Sequence, residues 1–298
     1  MNDDHKIPVV LHTDIGTDID DTWALSMLLS QPWWDLKMIL VDTGDVRYRA
    51  AVAAKTLAAF QQYETEIGLG KETKADSSLS DWLNGYDLKQ YPGPVHQNGI
   101  SRFIEIVRNS PEPIHLISIA PVPAIAAALD IAPDIAQRIR FSGMFGSLKY
   151  GFDDQKGALA EYNITSDIPA ARKVFSAAWL DARITPLDSC GSIRLREKNF
   201  QRVFHSELQR LAPIQEGFPI WCRHVNLPEV QQESSILFDT VAVHLAYSTE
   251  FLIMEQLPLI VNNEGFTVVD PAGQTFSVAT GWKNRAAFER RLAEQLLD

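Results

Sequence analysis

Residues 12 to 21 read His12-Thr13-Asp14-Ile15-Gly16-Thr17-Asp18-Ile19-Asp20-Asp21, with four carboxylates between Asp14 and Asp21. An apolar run, Val9–His12, precedes them, and a helical pattern, Asp20–Leu29, follows. In an open α/β sheet, ligands bind at the carboxyl ends of the strands, which is where this segment falls. Four like charges packed there repel one another unless something neutralises them. A bound cation is the simplest remedy, and an all-oxygen donor set favours calcium or magnesium. The same residues also fit a plainer reading, a solvated loop with Asp20 as a helix N-cap and negative charge in the first turn. Two other motifs fail. An EF-hand loop starting at Asp18 needs glycine at its sixth position and glutamate at its twelfth, where Trp23 and Leu29 stand. An aspartyl-phosphate enzyme needs a second acid two residues beyond the nucleophile, where Gly16 stands.

The elements that must position this loop follow from hydrophobic periodicity. Val9–His12, Met38–Val41, Ile67–Leu69, Ile114–Ile119, Ile139–Phe141 and Ile184–Leu187 are short apolar runs expected to be strands. Between them lie helical patterns such as Ala50–Phe60 and Val122–Leu129. Short strands that are apolar on both faces, alternating with helices, predict a parallel sheet covered on both sides. Glu72–Asn98, with its Pro92-Gly93-Pro94, reads as a long loop and a possible lid, and Gly146–Gly157 as a second loop. Phe266–Val269 and Phe276–Ala279 are expected to form a hairpin around Pro271–Gly273, and Asn284–Leu297 a closing helix.

The bulk properties narrow the function classes. A chain of 298 residues that is 46% hydrophobic can bury a large core. A net charge of −11 argues against general nucleic-acid binding, which needs a basic face. Two cysteines, Cys190 and Cys222, do not make a disulfide framework and lack zinc-ligand spacing. No run approaches the length of a membrane span and Met1–Lys6 is polar, so a cytoplasmic location is the default expectation.

The segment ending Asp20-Asp21-Thr22-Trp23-Ala24-Leu25 resembles the N-terminal signature of the nucleoside hydrolase family, in a form two residues longer than the commonest one. Further blocks resemble that family in order along the chain. They are Thr43-Gly44-Asp45, the run from Ile114 to Pro121, Met144-Phe145-Gly146, Ala160-Glu161-Tyr162-Asn163 with Asp167 and Ala170-Ala171, Phe238-Asp239 and Val278-Ala279-Thr280. The resemblance implies one α/β domain over residues 1–298, with a mostly parallel sheet, assembled as a homodimer or homotetramer. It implies calcium-dependent cleavage of the N-glycosidic bond of a nucleoside or related riboside, with no nucleic-acid or membrane partner.

The roles implied by resemblance are specific. Asp14 is a calcium ligand and the general base for water. Asp21 and Asp239 are side-chain ligands and Ile119 is a carbonyl ligand. Asp20, Asp45, Glu161 and Asn163 line the ribose. Asp18 is left open between an inward and an outward position. The chain departs from the family at three places: His12 and Asp45 replace the usual aspartate and asparagine, and Phe238 replaces the histidine that protonates the leaving base. His96, Trp221, Arg223 and His224 are the candidates to take over that end of the site.

Overall fold

The computed structural model describes residues 6–228 and 231–298. The first half alternates strand and helix: β1 (Ile7–Thr13), α1 (Asp20–Leu29), β2 (Trp34–Val41), α2 (Val46–Ala59), β3 (Glu66–Leu69), α3 (Ser80–Leu83), β4 (Val95–His96), α4 (Gly99–Asn109), β5 (Ile114–Ser118), α5 (Pro123–Ile131) and β6 (Ile139–Gly143). The second half holds α6 (Tyr162–Thr165), α7 (Ile168–Phe175), β7 (Asp181–Ile184), α8 (Leu187–Cys190), α9 (Glu197–Phe204), α10 (Ala212–His224) and α11 (Phe238–Leu245). It closes with β8 (Leu252–Val261), β9 (Thr267–Val269), β10 (Gln274–Trp282) and α12 (Arg285–Leu297).

The strands form one ten-stranded sheet in the order β4-β3-β2-β1-β5-β6-β7-β10-β8-β9. Every pairing from β4 across to β10 is parallel, and only β10–β8 and β8–β9 are antiparallel. The apolar strands are buried on both faces, as their uniform sequence requires. Val9 and Leu11 pack into one core cluster with α1, α2 and α11, while Val10 packs into a second with α4, α5 and α7. The alternation of side chains along a strand produces that division. No helix among the described residues is long and apolar enough to cross a membrane.

The strand order places the site. The chain leaves β1 toward β2, β3 and β4 on one side, then returns to β5, β6 and β7 on the other. Between β1 and β5 the crossover helices diverge, which opens a crevice at the carboxyl ends of those strands. The acidic loop begins at the last residue of β1.

Several local expectations are corrected. The strand expected at Ile184–Leu187 ends at Ile184, because Pro186 leads into the short helix α8. The expected hairpin does not form. β9 and β10 each pair with β8 instead, on its opposite edges. β8 escapes hydrophobic patterning because Glu255, Gln256 and Pro258 interrupt its apolar residues. Glu72–Asn98 is also more ordered than a loop, since it contains α3, a turn of 3₁₀ helix at Leu88–Gln90 and β4.

Candidate active site

A cavity of about 300 Å³ opens at the carboxyl ends of β1, β5 and β6. Asp14, Asp20, Asp21, Ile119, Glu161, Asn163 and Asp239 all line it. Four of these groups come from the acidic loop with the first turn of α1 and from the residue after β5. The other three arrive from the start of α6 and from the first turn of α11, far along the chain.

The acidic loop is held from behind. Thr13 donates its hydroxyl to an oxygen of Asp21 and accepts the Ile15 N–H at 3.1 Å, so the turn is closed beneath the carboxylates. Gly16 has φ +109°, and a Cβ there would lie 2.8 Å from the Tyr48 ring, so glycine is required on both counts. The Tyr48 hydroxyl donates to the Gly16 carbonyl at 2.8 Å and accepts the Leu79 N–H at 2.8 Å. Arg49, also on α2, donates to the carbonyls of Thr43 and Ile15 and to the Thr17 hydroxyl. Its guanidinium lies 3.8 Å from Asp14. On β1 itself, His12 bridges Ser118 on β5 (2.9 Å) and Asp42 after β2 (3.0 Å), both buried, so it braces the strand ends and does not line the cavity.

Asp20 and Asp21 occupy the first turn of α1, and Asp239 that of α11, yet none caps its own helix. The cap position of α1 is Ile19, and the Ile19 N–H is taken by Asp18 at 2.7 Å. Freed from capping, the carboxylates of Asp20, Asp21 and Asp239 converge, with one oxygen of each within 4.8 Å of the others. All three are buried, between 3% and 4% exposed. The positive ends of two helix dipoles stabilise negative charge there in part.

Electrostatics shows how incomplete that stabilisation is. Burial pushes the Asp20 carboxyl well above its ordinary range, and the charges of Asp18 and Asp21 push it further. Burial, followed by Asp20 and Asp21, does the same to Asp239. Asp21 is raised by burial and Asp14, against the Thr13 hydrogen bond. Asp14 is raised by burial, while Arg49 and His12 draw it back. Asp18 rises to about 6 through burial. A donor set made only of buried, mutually repelling carboxylates fits a hard divalent cation. The closest set holds Asp20 beside Asp21 and Asp239. Asp14 lines the same cavity outside that set.

Glu161 and Asn163 form a second, rigid wall. The Glu161 carboxylate accepts the N–H groups of Asn163 (2.6 Å) and Gly146 (3.1 Å), and Asn163 donates to the Met144 carbonyl at 3.1 Å. Burial raises Glu161 to about 7 against those two hydrogen bonds.

Asp45 is not brought to the cavity. It is exposed and serves as the N-cap of α2, accepting the N–H groups of Arg47 and Tyr48, each at 3.0 Å. The four residues considered for the other end of the site also lie elsewhere. His96 pairs with Glu66 at 2.8 Å on the edge strand β4, and Trp221 stacks on Phe218 in the core. Arg223 and His224 are exposed at the end of α10. Phe238 and Asp18 do line the cavity, and the remaining wall consists of residues to which the sequence assigned no role: Thr17, Met144, Phe152, Tyr162 and Leu187. Tyr162 was within reach of the sequence, because it stands between Glu161 and Asn163. Phe152 carried no signal beyond its place in the second loop.

A family model described as inosine-uridine preferring nucleoside hydrolase matches residues 9–291. The chain belongs to that family. Among curated nucleoside hydrolases, the non-specific ribonucleoside hydrolase RihC of Salmonella paratyphi A is 30% identical over 181 residues, or 57% of this chain and 58% of the relative. RihC of Salmonella agona matches to the same extent, so the alignment spans about 58% of the length of these curated relatives. A plant nucleoside hydrolase structure, PpNRh1, superposes with a TM-score of 0.77 at 18% identity, covering 98% of this chain and 99% of that one. The purine-preferring ribonucleoside hydrolase from Gardnerella vaginalis gives 0.74 at 22% identity, over 97% and 99%. These superpositions establish the single-domain, mostly parallel α/β fold of a nucleoside hydrolase.

Proposed function

We propose that this nucleoside hydrolase cleaves the N-glycosidic bond of ribonucleosides or related N-ribosides and depends on calcium. The observation that carries the proposal is the convergence of Asp20, Asp21 and Asp239 with Asp14, Glu161 and Asn163 at the sheet's reversal point. Breaking the bond builds positive charge on the sugar, and a pocket of carboxylates favours that charge where it develops. Asp20, Asp21 and Asp239 would hold the ion, with the Asp14 carboxylate and the Ile119 carbonyl beside them. When bound, calcium supplies a Lewis acid that fixes water and the ribose hydroxyls. Asp14 takes the proton of the attacking water, and the charge of Arg49, 3.8 Å away, favours its ionised form. Glu161 and Asn163 offer hydrogen bonds to the ribose, and Asp20 can share that task. Asp45 has no part in it.

The test is release of free ribose from a nucleoside panel, with and without a calcium chelator. Chelator-sensitive release supports the reading, and no ribose from any riboside would end it. A second reading has one observation in its favour. Phe238 stands where the family's acid is expected, and no histidine is among the cavity's lining residues, so a calcium- and ribose-binding protein without turnover fits the same geometry. Binding of ribose without hydrolysis would select that reading.

A further inference from the structure

The cavity wall combines two chemistries. Six carboxylates line it, counting Asp18. Beside them, Phe152 meets Phe238 edge to face, with ring centroids 5.8 Å apart, and Tyr162 and Leu187 line the same cavity. Phe152 is 48% exposed and Tyr162 54% exposed, so aromatic faces remain open toward the entrance. No histidine, lysine or arginine is among the lining residues. Besides carboxyls, the proton-bearing side chains there are the Thr17 hydroxyl, the Tyr162 phenol and the Asn163 amide, which is not an acid. The two hydroxyls are weak acids, and burial pushes Tyr162 further up.

From this pairing of an acidic pocket with an aromatic rim, we propose that the preferred substrates are N-ribosides whose leaving group is a cationic heteroaromatic ring, the N-ribosylpyridinium class. The inference rests on the reading of the chain as an N-ribohydrolase. In a neutral purine nucleoside, the departing base takes the bonding pair as an anion and needs a proton, which an imidazole normally supplies. In a ribosylpyridinium, the C1′–N bond breaks with both electrons passing to a nitrogen that is already positive. The ring leaves as a neutral pyridine and requires no acid. Water adds its oxygen to C1′ and gives its proton to Asp14, so the products are ribose, the neutral heterocycle and one proton. The substrate's charge also suits the surroundings. A cationic ring is attracted by the carboxylates, and its positive face or edge stacks on Phe152, Phe238 and Tyr162 through cation–π contact.

The experiment measures kcat/KM for ribose release by the full chain with calcium, using N-ribosylnicotinamide, its neutral dihydropyridine form and inosine. The pyridinium riboside should exceed inosine by roughly 10²–10⁴-fold, the usual value of an acid catalyst that one substrate needs and the other does not. It should exceed the dihydropyridine by a similar margin. Phe152→Leu should raise KM for the pyridinium riboside roughly 2–30-fold, the span of a cation–π contact, and raise it by a larger factor than KM for inosine, whose neutral ring loses only stacking. Ribose from inosine at a rate equal to or above that from the pyridinium overturns the proposal and leaves the hydrolase reading standing. Ribose from none of the three overturns both.

Discussion

Arg49 places its guanidinium 3.8 Å from the Asp14 carboxylate while remaining 1% exposed. The same side chain donates to the Thr43 and Ile15 carbonyls and to Thr17, so α2 grips the acidic loop at several points. A buried cation in this position offsets part of the repulsion among the carboxylates, at the cost of its own desolvation. Together with Tyr48, it accounts for how a lengthened loop is held rigid.

Arg49→Met is therefore expected to destabilise the fold by about 3–5 kcal/mol, the usual cost of removing one partner from a buried charged network. It leaves two carbonyls without donors and Asp14 without its counter-charge. Urea unfolding of calcium-free protein measures the change. A loss under about 1 kcal/mol, the size of an ordinary surface change, would mean the guanidinium is not holding the loop.

Asp20, Asp21 and Asp239 should each weaken calcium binding roughly 10–100-fold or more when changed to alanine, because loss of even an outer partner of a metal ligand costs that much. Asp14→Asn should retain most of the affinity, since Asp14 stands outside the closest set, and should lose about 10²–10⁴ in kcat as a general base. Calorimetric titration of calcium into each variant, paired with ribose release, separates the two roles. Asp20→Ala binding calcium as tightly as the parent would return Asp20 to the ribose alone.

Phe238→His should increase turnover of inosine and leave nitrophenyl riboside almost unaffected. Nitrophenolate departs without a proton, whereas hypoxanthine gains on the order of 10²–10⁴ from an acid in reach. The comparison is of kcat/KM for the two substrates in parent and variant. Equal values for both in the parent would reveal an acid outside Phe238's position, Asp18 being the first to test.

His244 predicts a pH dependence of stability. Burial lowers its pKa to about 4, with a smaller push from Arg291. It stacks on Phe251 with centroids 5.6 Å apart, and its Nδ1 meets the Tyr247 hydroxyl at 3.1 Å. A folded-state pKa below the unfolded value of about 6.5 means the folded protein binds fewer protons between the two. Its contribution is intact above pH 6.5 and is lost as pH falls toward 4, by up to about 3 kcal/mol. Unfolding free energies at pH 7 and pH 4.5 for parent and His244→Leu isolate this residue, because other titrating groups cancel. The parent should lose more stability than the variant.

The strand–helix alternation, the acidic loop and its place after β1 follow from residue order alone, because apolar runs and charge spacing are local properties. The Glu161 and Asn163 wall and Asp239 were also legible, through their resemblance to a known pattern. Only the tertiary structure decided which acids meet. Asp20 and Asp239 converge because α1 and α11 pack against each other and leave their first turns uncapped. Asp45 looks equivalent in sequence, but two backbone N–H groups at the start of α2 claim its carboxylate first. The strand β8 and the partners of β9 and β10 were hidden for a related reason. Strand pairing is a long-range choice, and a single edge-to-edge alternative reverses it without altering any local pattern. The aromatic rim is the clearest case: Phe152 and Phe238 are ordinary apolar residues until the second loop and the start of α11 bring their rings together at the site.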